Sequence, residues 1–191
     1  TLHGVSEDAV VIGYCATNFE LKGLAHLIGA LPSLPTNYLL LIAGGRNPAR
    51  YRKMAAGLGV GDRVRFVGRV SRMVDFYAAV DVFCHPSFYD TFGSVVSEAL
   101  SMGIPVVVSP FTGAKDVVCD GQNGYVLKAV TEAAIADAVS KAVRLPEWRE
   151  LERLPSDQAV FDRYLALVSN CAGNGNAADD SNAFQNSFAR T

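Results

Sequence analysis

The chain has 191 residues, of which 50% are hydrophobic and only 19% are charged, and its formal net charge is -2. This composition predicts one compact domain and excludes an intrinsically disordered chain. Because the Lys and Arg residues are scattered, we expect no binding to nucleic acid or to an anionic membrane surface. A small anionic ligand needs only a few local cations and stays open.

The four cysteines, Cys15, Cys84, Cys119 and Cys171, form no CxxC pair and no set with His at metal-ligand spacing. This pattern predicts reduced, buried thiols in a cytoplasmic protein, with no metal site. No apolar run approaches the roughly 18 residues of a membrane span, and no signal peptide is recognisable. Because the chain starts at Thr1 rather than Met, we expect a fragment or a processed product.

Five short apolar runs, each followed by a turn-forming segment, predict β-strands at residues 10–16, 38–43, 63–67, 81–84 and 104–109. Apolar residues at helical spacing predict amphipathic helices around Leu24–Leu31 and Ile135–Val143, the second with Thr131 as its N-cap. Apolar strands that alternate with helices are typical of a doubly wound, Rossmann-like α/β fold with a parallel sheet. Ligands bind such sheets at the carboxyl ends of the strands, so we expect functional residues in the loops that follow them.

The C-terminal part of the chain has a different pattern. Pro146 and Pro155 interrupt it, and residues 157–169 predict one last helix. Residues 171–191 contain no Leu, Ile, Val, Tyr or Trp, which predicts a disordered tail. We therefore expect a single domain over residues 1–170 and a tail over residues 171–191.

The most informative segment runs from His85 to Glu98 and is predicted to open a helix near Thr91 or Phe92. Free backbone amides at the start of that helix, those of Phe92, Gly93 and Ser94, would form an anion site. Asp90 and Glu98 would lie roughly 12 Å apart along a helix axis, which suits an extended nucleotide sugar. Acid/base carboxylate pairs lie about 5–9.5 Å apart. The alternative is that Asp90 is only an N-cap and Glu98 a solvated helix residue.

The motif Pro86-Ser87…Asp90…Phe92-Gly93…Glu98-Ala99…Gly103-Ile104-Pro105-Val106 resembles the signature of group 1 (family 4) glycosyltransferases of the GT-B fold. Similar matches lie at Lys22-Gly23 and at Gly113-Ala114-Lys115-Asp116, so the resemblance covers roughly residues 10–143. It implies a retaining transferase whose C-terminal, nucleotide-sugar-binding half is this chain, one half of a GT-B fold. The acceptor-binding N-terminal half would be missing, no metal or other cofactor would be required, and any peripheral membrane association would come through the missing half.

The resemblance also implies roles for particular residues. Lys22 would neutralise the donor diphosphate, Glu98 would bind the ribose hydroxyls, and Asp90 would face the donor sugar. The sequence departs from the family pattern in two places, since Asp90 replaces a longer Glu and Thr17 stands where many relatives carry an Arg. The remaining donor-binding residues implied by the resemblance are Arg69 and Val70 at the nucleobase, Phe92, Gly93 and Ser94 at the diphosphate, and Gly113 and Ala114 at the sugar.

Structural alternatives remain for several of these residues. Lys22 could be an ordinary solvated lysine, and Gly113 with its neighbours a common glycine-rich turn. His85 ends a predicted strand at the functional edge, but the sequence shows no acidic partner for it, which favours a binding or packing role.

Taken together, the resemblance predicts transfer of a hexose from a nucleoside diphosphate sugar to an acceptor hydroxyl, in glycan, lipopolysaccharide or glycolipid assembly. The motif Phe19-x-x-Lys22-Gly23 is similar to one in lipopolysaccharide core glucosyltransferases. Two alternatives stay open: a sugar-nucleotide epimerase of the same overall fold, and a non-catalytic domain that binds a nucleotide or a partner.

Overall fold

A computed structural model describes residues 8–45 and 47–145 of the chain. Cys171, the helix predicted at residues 157–169 and the tail predicted at residues 171–191 lie outside the described residues. The elements in chain order are β1 (Val10–Ala16), α1 (Leu24–Ala30), β2 (Tyr38–Gly44), α2 (Ala49–Gly57), β3 (Val64–Gly68), α3 (Met73–Tyr77), β4 (Val82–His85), α4 (Ser94–Ser101), β5 (Val106–Val108), β6 (Gly124–Val126) and α5 (Glu132–Ala142).

Within the described residues the strands form one six-stranded sheet in the order β3-β2-β1-β4-β5-β6, and all neighbouring strands are parallel. The first strand, β1, lies in the middle of the sheet, and the chain then winds outward to β3 and crosses back to pair β4 with β1. The predicted doubly wound, Rossmann-like α/β fold is therefore confirmed. Its topological switch point, where such sheets bind their ligands, lies between β1 and β4.

Two hydrophobic cores cover the two faces of the sheet. Ile12 and Tyr14 of β1 pack on one face with buried residues of α1 and α5, and Val11 packs on the other face with residues of α3 and α4. Successive residues of a strand point to opposite faces, so a strand that is covered on both sides is apolar at every position. This explains why β1 was recognisable as a continuous apolar run.

The last described helix agrees with the sequence in detail. α5 begins after Thr131, whose hydroxyl accepts a hydrogen bond from the Ala134 amide at 3.3 Å. Ile135, Val139 and Ala142 of the predicted stripe are fully buried. No helix of the described segments has the length and apolar character needed to cross a membrane.

Three elements differ from the sequence-based expectation. β3 was expected to be apolar throughout, but Arg65 and Val67 are exposed, because β3 is an edge strand that is not covered on both faces. β6, which begins at Gly124 and pairs with β5, was not among the five predicted strands. The sequence also did not single out α2, in which only Tyr51 and Ala55 are buried and the apolar stripe is correspondingly weak.

The expectation of four reduced, buried cysteines is wrong for the described part of the chain. Cys84 is buried and free, and Cys15 is free but only partly buried. Cys119 is partly exposed and forms a disulfide bond. Sequence spacing does not reveal which thiols the tertiary structure brings within bonding distance, and this distance decides whether a disulfide forms.

Candidate functional site

A cavity of about 440 Å³ opens at the carboxyl ends of the central strands, next to the switch point between β1 and β4. The loops that follow β1, β3 and β4 supply seven of its fifteen lining residues, as expected for an α/β sheet. The lining residues are Cys15, Ala16, Thr17, Lys22, Ala43, Gly44, Arg69, Val70, Met73, His85, Asp90, Phe92, Gly93, Ser94 and Val95.

The Asp90 carboxylate joins the two loops nearest the switch point. Its Oδ2 lies 2.8 Å from Nζ of Lys22 and 2.8 Å from Nε2 of His85. Its Oδ1 accepts a hydrogen bond from the Gly93 amide at 2.9 Å. Although burial by itself would raise the pKa of Asp90, the hydrogen bonds from Lys22, His85 and Gly93 lower it to about 2. Asp90 is therefore ionised at neutral pH and is held by three donors.

Lys22 reaches Asp90 because the loop after β1 packs closely against the loop after β4. Gly23 has a φ of 72°, and a Cβ at this position would collide with the carbonyl oxygen of Pro86. The Phe88 amide donates to the Leu21 carbonyl at 2.9 Å. The Lys22 ammonium also donates to the Tyr89 carbonyl at 2.7 Å. With two of its three donors used, Lys22 has one N–H left for a ligand.

His85 is the last residue of β4, and only 1% of it is exposed. The interpretation that it has no acidic partner is wrong, since it pairs with Asp90 five residues later. Burial lowers the pKa of His85, and the hydrogen bond with Asp90 only partly opposes this shift. We therefore assign a neutral imidazole that donates from Nε2 to Asp90, while Nδ1 has no hydrogen-bond partner among the described residues.

A spacing of five residues outside a helix or strand has no characteristic geometry, so the segment from His85 to Glu98 does not by itself reveal this pairing. His85 ends a strand, and Asp90 lies in the loop that follows it, so both belong to the same edge of the sheet. That shared position was the available signal.

The α4 helix begins at Ser94, with Gly93 as its N-cap, and not near Thr91 or Phe92 as expected. Gly93 has a φ of 67°, which stops the helix from extending toward the N-terminus. The predicted set of free amides is also corrected, because the Gly93 amide already donates to Asp90. The first helical amides, those of Ser94 and Val95, belong to residues that line the cavity and are available to an anion.

Gly113 and Ala114 do not line the cavity. They lie behind the loop that carries Asp90, and the Gly113 amide donates to the Asp90 carbonyl at 3.0 Å. Ala114 is buried in the core, and its Cβ lies 3.0 Å from the position that a Cβ at residue 93 would occupy. In this structure the two residues therefore support the Asp90–Gly93 loop, and their predicted contact with a sugar stays a prediction.

Glu98 is not among the residues that line the cavity. Its Oε2 accepts a hydrogen bond from the Tyr77 hydroxyl at 2.8 Å. Burial and the nearby Glu98 charge together raise the pKa of Cys15, which lines the cavity, to about 11. Glu98 is thus a partly buried, hydrogen-bonded residue that is not among those lining the cavity, and its contact with a ribose stays a prediction.

Arg69 and Val70, which were predicted to contact the nucleobase, follow β3 and line the cavity. Arg69 is exposed, whereas only 19% of the Lys22 side chain is. Thr17 lines the same cavity but brings no charge. Within residues 8–45 and 47–145, no group of three or more His, Cys, Asp and Glu side chains is arranged to hold a metal ion.

Solved structures similar to the chain include glycosyltransferases. The chain superimposes on sucrose-phosphate synthase from Thermosynechococcus elongatus with a TM-score of 0.71 and 28% identity, over 86% of the chain and 43% of that protein. It matches the structure of WaaG, described as a glycosyltransferase involved in lipopolysaccharide biosynthesis, with a TM-score of 0.71 and 24% identity over 87% of the chain and 44% of WaaG. The fold is that of one Rossmann-like half of the GT-B glycosyltransferases.

Curated relatives point the same way. The chain is 35% identical to the lipopolysaccharide core biosynthesis glycosyltransferase LpsE of Rhizobium meliloti, over 85% of the chain and 50% of LpsE. It is 30% identical to the D-inositol 3-phosphate glycosyltransferase of Kribbella flavida, over 77% of the chain and 38% of that enzyme. The chain spans half the length of LpsE and less of the second relative.

The family model for glycosyl transferases group 1 matches residues 3–155, which is most of the chain. This match agrees with the parallel sheet, the cavity at its switch point and the order of the motifs. The chain belongs to the glycosyl transferases group 1 family.

Proposed function

We propose that this chain is the donor-binding half of a retaining glycosyltransferase that transfers a hexose from a nucleoside diphosphate sugar to an acceptor hydroxyl. The proposal depends on one observation: Lys22 and the residues that carry the first amides of α4 line the same cavity. A point charge and free amides at a helix N-terminus suit a diphosphate. The names of relatives support a sugar-transfer reaction, because LpsE is named as a lipopolysaccharide core glycosyltransferase.

The contribution of this half to the reaction would be electrostatic. Negative charge develops on the diphosphate as the sugar leaves, and donors that are already in position stabilise it without reorganisation. Lys22 and the Ser94 and Val95 amides are the donors that we assign to this task. No metal ion is needed in this scheme, since the protein itself supplies the compensating charge.

The acceptor would bind on a second domain, which faces this cavity in the intact protein. The lengths of the relatives support this arrangement, because the chain spans only half of LpsE. We expect the 191-residue chain alone to bind nucleotides and to transfer no sugar, because it holds one side of the cleft. On this proposal the enzyme acts in the cytoplasm, and it meets a membrane only through the other half.

Nucleotide binding tests the assignment of the site. The chain is titrated calorimetrically with UDP, GDP and ADP and with the three matching nucleosides. Hydrogen bonds to charged groups contribute about 1.5–3 kcal/mol, so Lys22→Ala should weaken the preferred nucleotide roughly 10- to 150-fold while nucleoside binding stays unchanged. Lys53→Ala is the matched control, because Lys53 is an exposed lysine of α2 outside the cavity. Equal losses for nucleotide and nucleoside, or no loss, would refute the role of Lys22.

Glu98→Gln tests the ribose contact. If Glu98 binds the ribose, the binding of nucleotide and of nucleoside should weaken together, because both ligands carry that group. If neither ligand binds more weakly, Glu98 has no contact with the ribose, and its role is the hydrogen bond with Tyr77.

The stereochemistry is tested with the intact protein, by NMR assignment of the anomeric configuration in the product. An inverted product would contradict the proposed retention, and turnover by the 191-residue chain alone would contradict its inactivity.

A further inference from the structure

Asp90 already uses two of the donors that the sequence assigned to a diphosphate. Its Oδ2 lies 2.8 Å from the Lys22 ammonium, and its Oδ1 accepts from the Gly93 amide at 2.9 Å. A carboxylate and a phosphate group both bind such donors through anionic oxygens. The side chain of Asp90 therefore occupies part of the anion site itself.

Contacts other than the one with Lys22 also hold Asp90 in place. The buried His85 imidazole lies 2.8 Å from Oδ2 through its Nε2. The backbone of Asp90 is held on both sides, because its amide donates to the Phe111 carbonyl at 3.1 Å and its carbonyl accepts from the Gly113 amide at 3.0 Å. Lys22 approaches on a flexible four-carbon stem. If an anion draws Lys22 away, these contacts keep Asp90 in place.

The contact between Lys22 and Asp90 affects anion binding because the cavity has few charged side chains. Lys22 and Arg69 are the cations among the described lining residues, and Arg69 is exposed. Asp90 is the anion of that lining and neutralises Lys22 directly. The side chains of Lys22 and Asp90 are each only 19% exposed, so water and salt screen their interaction incompletely.

We propose that Asp90 competes with the bound diphosphate for Lys22, and that this competition lowers the affinity for the nucleoside diphosphate and favours its release. The inference rests on the proposed function, which places the diphosphate at Lys22. Each time the nucleotide leaves, the ammonium returns to Asp90, so this partly buried cation regains an anionic partner. This role needs no contact between Asp90 and the sugar.

Asp90→Asn tests the competition, because it removes the charge and keeps an oxygen that accepts from Gly93. One negative charge is lost beside a ligand that carries at least two, so binding of the preferred nucleotide among UDP, GDP and ADP should tighten on the order of tenfold. Binding of the matching nucleoside should not change. Asp137→Asn, which removes an exposed carboxylate of α5 paired with Lys141, is the matched control and should leave nucleotide binding unchanged.

A double-mutant cycle separates competition for Lys22 from plain repulsion between Asp90 and the ligand. If Asp90 acts through Lys22, the gain from Asp90→Asn should be clearly smaller in a Lys22→Ala background. An equal gain in both backgrounds would overturn the competition. A weaker nucleotide affinity in Asp90→Asn with nucleoside binding retained would also overturn it, because Asp90 would then position Lys22 for the ligand.

A measurement on the unmodified chain decides the question if Asp90→Asn does not fold. The carboxyl carbon of Asp90 is titrated by NMR with and without saturating nucleotide, and its pKa should rise from about 2 when Lys22 turns to the diphosphate. An unchanged pKa would overturn the proposal. If Asp90→Asn binds nucleotide as tightly as the unmodified chain does, this inference alone is overturned. If no nucleotide binds to the unmodified chain, the proposed function and the inference are overturned together.

Discussion

The same substitution, Asp90→Asn, should also destabilise the fold at neutral pH. The difference between the ordinary pKa of 3.8 and the folded-state value of about 2 corresponds to about 2 kcal/mol of stability. The folded-state pKa is depressed, so this stabilisation is fully present above pH 3.8 and is lost as the pH falls through about 2. Because solvent screens this partly exposed group, Asp90→Asn should lower the free energy of unfolding by at most about 2 kcal/mol at pH 7.

Urea unfolding monitored by circular dichroism, repeated from pH 7 to pH 2, measures this difference. The gap between the wild-type chain and Asp90→Asn should be constant near neutrality and narrow below about pH 4, where the wild-type carboxylate takes up its proton. Asp137→Asn is the control, because its ion pair with Lys141 is exposed and such pairs contribute only about 0–1 kcal/mol.

The reasoning would be refuted by a stability gap that does not depend on pH. Such a gap would mean that the change of shape, and not the loss of the charge, destabilises the variant. Combined with tighter nucleotide binding, a loss of stability would show that the Lys22–Asp90 pair stabilises the empty protein at the expense of ligand affinity.

Two further predictions concern the backbone around the site and in α5. Gly93→Ala should destabilise the chain by about 2 kcal/mol in thermal unfolding, because a Cβ at this left-handed residue would lie 2.5 Å from Oγ1 of Thr112. Gly57→Ala is the control and should be neutral or stabilising in the same assay, because no atom lies within 4 Å of the place of its Cβ. Thr131→Ala should cost about 1 kcal/mol in urea unfolding, because α5 loses its N-cap. Thr131→Ser should restore most of it, and an equal loss in both variants would contradict the capping role.

Local patterns in the sequence were sufficient for much of the fold. β1 and α5 lie where apolar runs and helical spacing placed them, because strands covered on both faces and helices with one buried stripe have distinct periodicities. Thr131 was recognisable as an N-cap because its hydrogen bond joins residues only three apart. The ordered motifs predicted the family, which the match over residues 3–155 confirms.

Other features depended on which strands are neighbours in the sheet, and local sequence patterns do not show the strand order. β3 has exposed residues because it lies at the edge of the sheet, and β6 has three residues that form a strand because β5 is there to pair with them. The disulfide of Cys119 likewise depends on a distance in space.

The sequence by itself determined the family, the parallel α/β class and the set of loops that carry the site, since these depend on periodicity and on motifs with short spacing. Only the tertiary structure decided how the site residues are paired. Lys22 and Asp90 are 68 positions apart, and they meet because parallel strands β1 and β4 are neighbours and end at the same edge. The electrostatics of the site follow from that adjacency, because the interaction between charges depends on their separation and burial and not on their order in the chain.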